Sequence, residues 1–111
     1  MEKKYILAHD LGTSGNKAVL FDTNLNVISQ TKIDYPLYYP KSGCAEQNPS
    51  DYWDAVKKGT NILITNNNID INEIIALTFD CQMNCTIPID KKGNPQLKCI
   101  SWLDTRAAPL T

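Results

Sequence analysis

A short polar segment near the start of the chain has the residue types of a phosphate site. It runs Asp10-Leu11-Gly12-Thr13-Ser14-Gly15-Asn16-Lys17. Glycines let a backbone approach a phosphate, the Thr13 and Ser14 hydroxyls and turn N–H groups can donate to its oxygens, and Lys17 adds positive charge. Asp10 could hold Mg²⁺, directly or through water. The segment is neither a Walker A loop nor a Rossmann turn, and an ordinary polar hairpin turn is the alternative interpretation.

Two later stretches could bind the hydroxyl groups of a small molecule. Gln82 and Asn84 follow an apolar run, at the kind of position where open α/β sheets place their ligands. They could instead satisfy loop backbone groups in an Asx-type turn. Trp102 offers an indole face on which a sugar ring can stack, while Asp104 and Arg106 can simply pair with each other. Neither stretch alone decides between binding and structure.

The elements that would position these residues follow from hydrophobic periodicity. The apolar runs predict three strands of an antiparallel meander at Tyr5–His9, Lys17–Phe21 and Val27–Asp34. Residues 36–49 carry three prolines and indicate an irregular surface excursion. Asn48 is a good N-cap for a helix that begins near Pro49 and ends at Asn66-Asn67-Asn68.

The second half of the chain predicts three more strands. The nearly continuous apolar run of residues 74–79 is typical of a strand covered on both faces, as in the parallel part of an α/β sheet. Thr86–Ile89 and Leu97–Trp102 flank a turn at residues 90–95, which predicts a hairpin. The expected order is βββ, α, β, ββ.

Composition limits the class of protein. The length of 111 residues suits one domain, and 11 basic against 12 acidic residues leave a net charge of −1. Such a balance disfavours bulk binding to nucleic acid, and no apolar run is long enough for a membrane span, so a cytoplasmic protein is expected. Four cysteines without zinc-finger spacing indicate free thiols that are buried or half-buried, and the lone His9 indicates a structural imidazole.

In combination and order, these motifs resemble the N-terminal part of the FGGY family of carbohydrate kinases, most closely its xylulokinase-like members. The resemblance extends over nearly the whole chain. The matching residues are Asp10 to Gly15 with Lys17, then Gly43, Glu46-Gln47-Asn48-Pro49 and Tyr52-Trp53, then Gln82-Met83, and finally Trp102, Asp104 and Arg106.

The resemblance implies a ribonuclease H-like, actin-like ATPase fold of α/β class and transfer of the ATP γ-phosphoryl group to a sugar hydroxyl with Mg²⁺. It also implies that residues 1–111 are an incomplete first domain, with the catalytic base and the second domain beyond Thr111, so the isolated fragment should be inactive. The sites it implies are Asp10 for Mg²⁺, Gly12, Thr13, Ser14 and Lys17 for phosphate, Gln82, Met83, Asn84, Trp102 and Asp104 for the sugar, and Arg106 for ordering the loop.

Two departures from the family pattern bear on the substrate. Asn84 stands where xylulokinases have His, and Cys44 stands where Trp is usual. Met83-Asn84 replaces the Arg-Glu pair of glycerol kinases, which disfavours glycerol. The expected substrate is therefore a pentulose such as xylulose, with another sugar or polyol second. A non-catalytic actin-like nucleotide-binding domain is the alternative of another class, and a homodimer is left open.

Overall fold

The computed structural model describes residues 2–110 and contains a mixed sheet with one long helix. The elements are β1 (Tyr5–Leu11), β2 (Gly15–Asp22), β3 (Val27–Asp34), β4 (Glu46–Gln47), α1 (Pro49–Asn66), β5 (Ile74–Cys81) and β6 (Cys99–Ile100), with 3₁₀ turns at Ile71–Glu73 and Ala108–Leu110. The main sheet has the order β3-β2-β1-β5. β1 to β3 form the predicted antiparallel meander, and β5 pairs parallel to β1. The α/β class is confirmed.

The core lies between α1 and one face of the sheet. Strand alternation places Leu7, Ala18 and Leu20 on that face, and all are buried together with Leu63 of the helix. Gly59 lets the helix approach closely, because a Cβ there would lie 3.1 Å from the Cβ of Ala18. Helix and meander therefore form one packed unit that holds the β1–β2 turn at the end of the sheet.

The helix begins and ends where the sequence predicts, with one difference at its start. Pro49 is the first helical residue and Asp51 lies in the first turn. Asn48 occupies the N-cap position, but its side chain makes no capping hydrogen bond. Its main-chain carbonyl accepts from the N–H of Asp51 at 3.0 Å instead. At the other end, the Asn67 side chain donates to the carbonyl of Leu63 at 2.8 Å.

β5 contradicts the expectation of a strand covered on both faces. The apolar side chains of Ile75, Leu77 and Phe79 are 53%, 55% and 51% exposed. Within the described residues, α1 packs over β2 and β3, and β5 is the edge strand of the sheet. Within residues 2–110, no helix is both long and apolar enough to cross a membrane.

The predicted hairpin of residues 86–102 is only partly formed. Thr86 with Ile100, and Ile89 with Pro95, form isolated bridges instead of continuous strands. The segment Cys99–Ile100 pairs with Glu46–Gln47 in a second, two-stranded sheet. The excursion of residues 36–49 is therefore not wholly irregular. Pro95 lacks an N–H and cannot extend the ladder, which explains the short pairing.

Gly15 is required by packing, and we expect Gly15→Ala to destabilise the protein. A Cβ at this position would lie 2.6 Å from the carbonyl oxygen of Ile33 and 3.0 Å from the Cα of Asp34, which are backbone atoms of the neighbouring strand. The free energy of unfolding should fall by about 1 to 3 kcal/mol. Urea denaturation measures it. Gly12→Ala is the matched control, since its nearest contact would be an ordinary 3.4 Å. Equal stability of the two variants would contradict the argument.

Candidate active site

We call the turn of residues 12–14 the phosphate turn. Its carbonyl groups accept hydrogen bonds from residues later in the chain. The Tyr35 hydroxyl donates to the carbonyl of Gly12, and the Gln47 amide donates to that of Thr13 at 2.7 Å. The N–H of Tyr35 donates to the carbonyl of Ser14 at 3.2 Å. In the described part of the chain, the N–H groups of Thr13 and Ser14 have no hydrogen-bond partner. These free donors suit an anion such as phosphate.

Tyr35 can donate its hydrogen bond to the Gly12 carbonyl because its hydroxyl group keeps its proton. Its side chain is buried and packs edge-on against Tyr52, with ring centroids 5.1 Å apart. Burial raises the pKa of Tyr35 to about 12, and the charge of Asp10 adds to the effect. The hydroxyl is therefore a donor at any physiological pH.

Four charged side chains form a row across the sheet beside the phosphate turn. Asp10 of β1 pairs with Asp80 of β5 on one side and with Lys17 of β2 on the other, and Lys17 pairs with Lys32 of β3. All four are exposed, on the face opposite to α1. Within the row, the neighbouring carboxylates of Asp10 and Asp80 repel each other, whereas Asp10 and Lys17 carry opposite charges.

Lys32 connects this row of charged side chains to the phosphate turn. Its ammonium group donates to the hydroxyl of Ser14 at 2.9 Å and lies 3.3 Å from a carboxylate oxygen of Asp34. The ammonium group of Lys17 makes no hydrogen bond or ion pair with another described residue. The row therefore offers one uncommitted cation and one that is already placed at the turn.

The carboxylates beside the phosphate turn fit a Mg²⁺ ion that takes its other ligands from substrate and water. Mg²⁺ in phosphoryl-transfer sites is usually held by one or two carboxylates, waters and phosphate oxygens. Asp10 and Asp80 supply two adjacent, exposed carboxylates at the ends of parallel strands. Among residues 2–110, no group of three or more His, Cys, Asp or Glu side chains could form an all-protein metal cage.

An open cavity of about 390 Å³ brings the first and later motifs together. Seven of its eight lining residues belong to the three predicted binding motifs, and the eighth, Cys81, precedes Gln82 at the end of β5. The lining consists of Asp10, Gly12, Thr13, Cys81, Gln82, Met83, Asn84 and Trp102. Of the predicted site residues, Ser14, Lys17, Asp104 and Arg106 lie outside this lining.

Thr13 is the point where the phosphate turn meets the loop after β5. The indole N–H of Trp102 donates to its hydroxyl oxygen at 2.9 Å. The hydroxyl in turn lies 3.4 Å from Oε1 of Gln82, a long and weak hydrogen bond. The N–H of Gln82 donates to the carbonyl of Leu11 at 2.8 Å, which fixes the loop to the end of β1. Asn84 has φ 60, a left-handed conformation that Asn tolerates.

Asp104 and Arg106 hold the loop of residues 101–106 against the segment before β4. The Asp104 carboxylate accepts from the N–H of Ala45 at 2.7 Å and from Arg106 at 2.6 Å. The Arg106 guanidinium also reaches Glu46 at 2.7 Å. The Asp104 side chain is only 2% exposed, and it faces these partners and not the cavity. Asp104 therefore lies outside the cavity that the other residues predicted for the sugar line.

Asp104 should contribute to the pH dependence of stability. Hydrogen bonding to Arg106 holds the pKa of Asp104 well below its usual range. A carboxylate with a lowered folded pKa stabilises the protein above its unfolded pKa of about 3.9 and loses this effect as pH falls further. We expect Asp104→Asn to be less stable than the wild type at pH 7, with a gap that narrows below about pH 4.

Urea denaturation at pH 7, 4 and 3 measures this difference. Asp54→Asn is the control, since Asp54 is an exposed helix residue that forms a surface ion pair with Lys57 at 3.2 Å. It should leave the acid dependence unchanged. A gap between wild type and Asp104→Asn that stays constant with pH would contradict the prediction.

His9 and the cysteines lie mostly outside the candidate site. His9 is buried between Asn16, 2.9 Å from Nδ1, and Thr60, 3.1 Å from Nε2, and it stacks on Phe79. Burial lowers the pKa of His9, so a neutral structural imidazole is expected. All four cysteines are free; Cys44 and Cys99 are buried and Cys85 is half-buried. Cys81 is exposed at the cavity, contrary to expectation, because β5 is an edge strand.

Comparison with known proteins places the chain in a family. The sequence model of the FGGY family of carbohydrate kinases, N-terminal domain, matches residues 5–111. Glycerol kinase 1 of Saccharolobus solfataricus is 35% identical over 112 residues, which cover 100% of this chain and 22% of that protein.

Two solved structures are also similar. The gluconate kinase from Lactobacillus acidophilus has a TM-score of 0.87 and 31% identity, over 97% of this chain and 21% of that one. The ligand-bound xylulose kinase from the same bacterium has a TM-score of 0.86 and 32% identity, over 96% and 21%. The chain thus spans about a fifth of the length of these relatives.

The names of these relatives agree on a kinase family but differ in the substrate. A glycerol, a gluconate and a xylulose kinase are 35%, 31% and 32% identical to the chain, which is nearly equal. A xylulokinase-like assignment is therefore not established, and the ranking that placed glycerol kinases low is not supported. The matched family model and the shared fold together show that the chain belongs to the FGGY family of carbohydrate kinases.

Proposed function

We propose that this chain is the N-terminal part of an ATP-dependent kinase that phosphorylates a hydroxyl of a neutral polyol or sugar. The observation that carries the proposal is the position of Thr13, which belongs to the phosphate turn and also lines the cavity with Gln82 and Trp102. A phosphoryl donor and an acceptor hydroxyl must meet at such a junction.

The phosphate half of the proposed site uses main-chain donors and lysines. The free N–H groups of Thr13 and Ser14 would bind phosphate oxygens, and Gly12 lets the backbone approach them. Lys17 supplies a cation that no described residue neutralises, and Lys32 holds the Ser14 hydroxyl in place. These groups stabilise negative charge without taking part in bond making, which is the main requirement of phosphoryl transfer.

Asp10, together with its neighbour Asp80, would hold Mg²⁺. The bound metal would neutralise charge that develops on the phosphate oxygens. The acceptor oxygen forms a bond to the γ-phosphorus while the bond from phosphorus to the β–γ bridging oxygen breaks and ADP leaves. We place the base that takes the acceptor proton outside this chain.

The acceptor half of the site favours an uncharged substrate. Gln82 and Asn84 offer amide groups, Met83 and Trp102 offer apolar surface, and the described lining contains no Lys or Arg. A substrate carboxylate would find no cationic partner there, so we propose a neutral polyol first, as in the glycerol kinase relative, and a pentulose second. Asp104 and Arg106 act on this half only by ordering the loop that carries Trp102.

An assay of ADP release by the complete protein tests the proposal. With Mg-ATP, we expect release that depends on glycerol or xylulose, with kcat/KM at least about tenfold above that for gluconate. The 111-residue chain alone should give no release, because the proposed base lies outside it. ATP binding without any acceptor-dependent release would instead favour a non-catalytic nucleotide-binding domain, and preference for gluconate would contradict a neutral substrate.

A further inference from the structure

One fully buried side chain, that of Gln47 in β4, contacts both halves of the site. Its exposed fraction is 0%. Its Nε2 donates to the carbonyl of Thr13 at 2.7 Å, and its Oε1 accepts from the hydroxyl of Tyr52 at 2.8 Å and from Nε2 of Gln82 at 3.0 Å. Gln47 therefore connects the phosphate turn to the loop that borders the cavity.

The chemistry of these partners fixes the orientation of the Gln47 amide. A carbonyl group can only accept, so the nitrogen of Gln47 must face Thr13. Burial raises the pKa of Tyr52 above its usual range, so its hydroxyl keeps the proton that it donates to Oε1 of Gln47. The oxygen of Gln47 thus faces Gln82 and can accept only from a nitrogen there.

The orientation of Gln82 follows from that of Gln47. Its Nε2 lies 3.0 Å from Oε1 of Gln47 and 3.4 Å from the hydroxyl of Tyr52. Its Oε1 is therefore turned toward the cavity side, where the hydroxyl of Thr13 lies 3.4 Å away. At 3.4 Å this bond is long and weak, and a substrate hydroxyl can replace it at little cost.

We propose that Gln47 is a positioning residue that makes Gln82 present an acceptor oxygen to a substrate hydroxyl while it holds the phosphate turn by the Thr13 carbonyl. The inference rests on the proposed function, because it takes the cavity as the site of the acceptor alcohol. It assigns the selection of a hydroxyl donor to a residue that does not itself line the cavity. When the substrate takes over Oε1 of Gln82, the Thr13 hydroxyl becomes free to donate to a phosphate oxygen.

A double-mutant cycle in the complete protein tests this. We expect Gln47→Met and Gln82→Met each to lower kcat/KM for the acceptor by about tenfold, since each leaves polar partners without a hydrogen bond. If Gln47 acts through Gln82, the double variant should fall less than about threefold below the worse single variant. Independent losses would multiply to about a hundredfold, and that result would overturn the inference.

Two further variants distinguish a specific loss of function from a loss of folding. Tyr52→Phe keeps the ring against Tyr35 and removes only the hydroxyl, which donates to Gln47 at 2.8 Å and accepts a long 3.4 Å hydrogen bond from Gln82. It should raise the KM for the acceptor about threefold or more with little change in kcat, as expected for a weakened binding contact. Gln30→Met is the matched control, because Gln30 is exposed on β3, and its kinetics should equal those of the unmodified protein.

The outcomes separate this inference from the proposed function. An unmodified protein without kinase activity would contradict the proposed function, and the inference would fail with it. An active protein in which the double variant loses about a hundredfold, or in which Tyr52→Phe leaves the acceptor KM unchanged, would overturn the inference alone. If Gln47→Met does not fold, Tyr52→Phe decides.

Discussion

Replacement of Asp10 by asparagine is expected to lower kcat of the complete protein in the proposed kinase reaction by about a thousandfold. Among the described residues, Asp10 is the one carboxylate that both lines the cavity and belongs to the charged row with Asp80 and Lys17. The substitution keeps the shape of the side chain and removes its charge. Loss of one preorganised electrostatic group from a reacting site typically costs about 10² to 10³ in kcat.

Steady-state kinetics with Mg-ATP and a saturating acceptor measure this effect. Asp54→Asn makes the same chemical change on the exposed surface of α1, where an ion pair with Lys57 contributes little, and it should leave kcat unchanged. The acceptor KM of the Asp10 variant should change much less than kcat. A decrease in kcat smaller than about tenfold would show that Asp10 does not hold the metal.

Trp102→Ala is expected to lower kcat/KM for the acceptor by about a hundredfold. The indole is half exposed at the cavity, so it offers a face to a substrate, and its N–H donates to the Thr13 hydroxyl at 2.9 Å. A stacking contact and a hydrogen bond each contribute up to about 1.5 kcal/mol, which together correspond to roughly a hundredfold. Trp102→Phe keeps a ring and loses the donor, so about tenfold is expected.

Kinetics with the two variants separate these contributions. Trp53→Phe serves as the control, since Trp53 lies exposed on α1 beside Lys57 and does not line the cavity. The KM for ATP should change little in any of the three. Equal kinetics of Trp102→Ala and the unmodified protein would mean that the acceptor does not contact the indole.

The meander and the helix could be predicted because each carries its own local signal. Alternation in β1 to β3 and helical spacing in α1 are properties of neighbouring residues. The exposure of β5 could not be predicted, because it depends on where α1 lies relative to the sheet and not on the run Ile74–Cys81 itself. β4 was missed for a similar reason: two residues between prolines show no periodicity, and their partner Cys99 lies far along the chain.

The residues of the cavity were predicted better than the residues that hold them. Thr13, Gln82 and Trp102 have side chains that indicate binding, and the structure brings them into one lining. No sequence pattern indicated a function for Tyr35 or Lys32. Lys32 reaches the site through the strand register, and Tyr35 through its hydrogen bond to the Gly12 carbonyl. Gln47 appeared in the family motif, but only its buried contacts reveal what its amide can do.

Phosphorus-31 NMR of the complete protein with Mg-ATP and glycerol or xylulose tests the central claim most directly. The claim is that the phosphate turn and the cavity beside Thr13 and Trp102 serve one transfer reaction. The account predicts that the γ-phosphate signal of ATP is replaced by ADP and a phosphomonoester of the acceptor in equal amounts. Consumption of ATP that yields only inorganic phosphate, or no consumption with either acceptor, would contradict it.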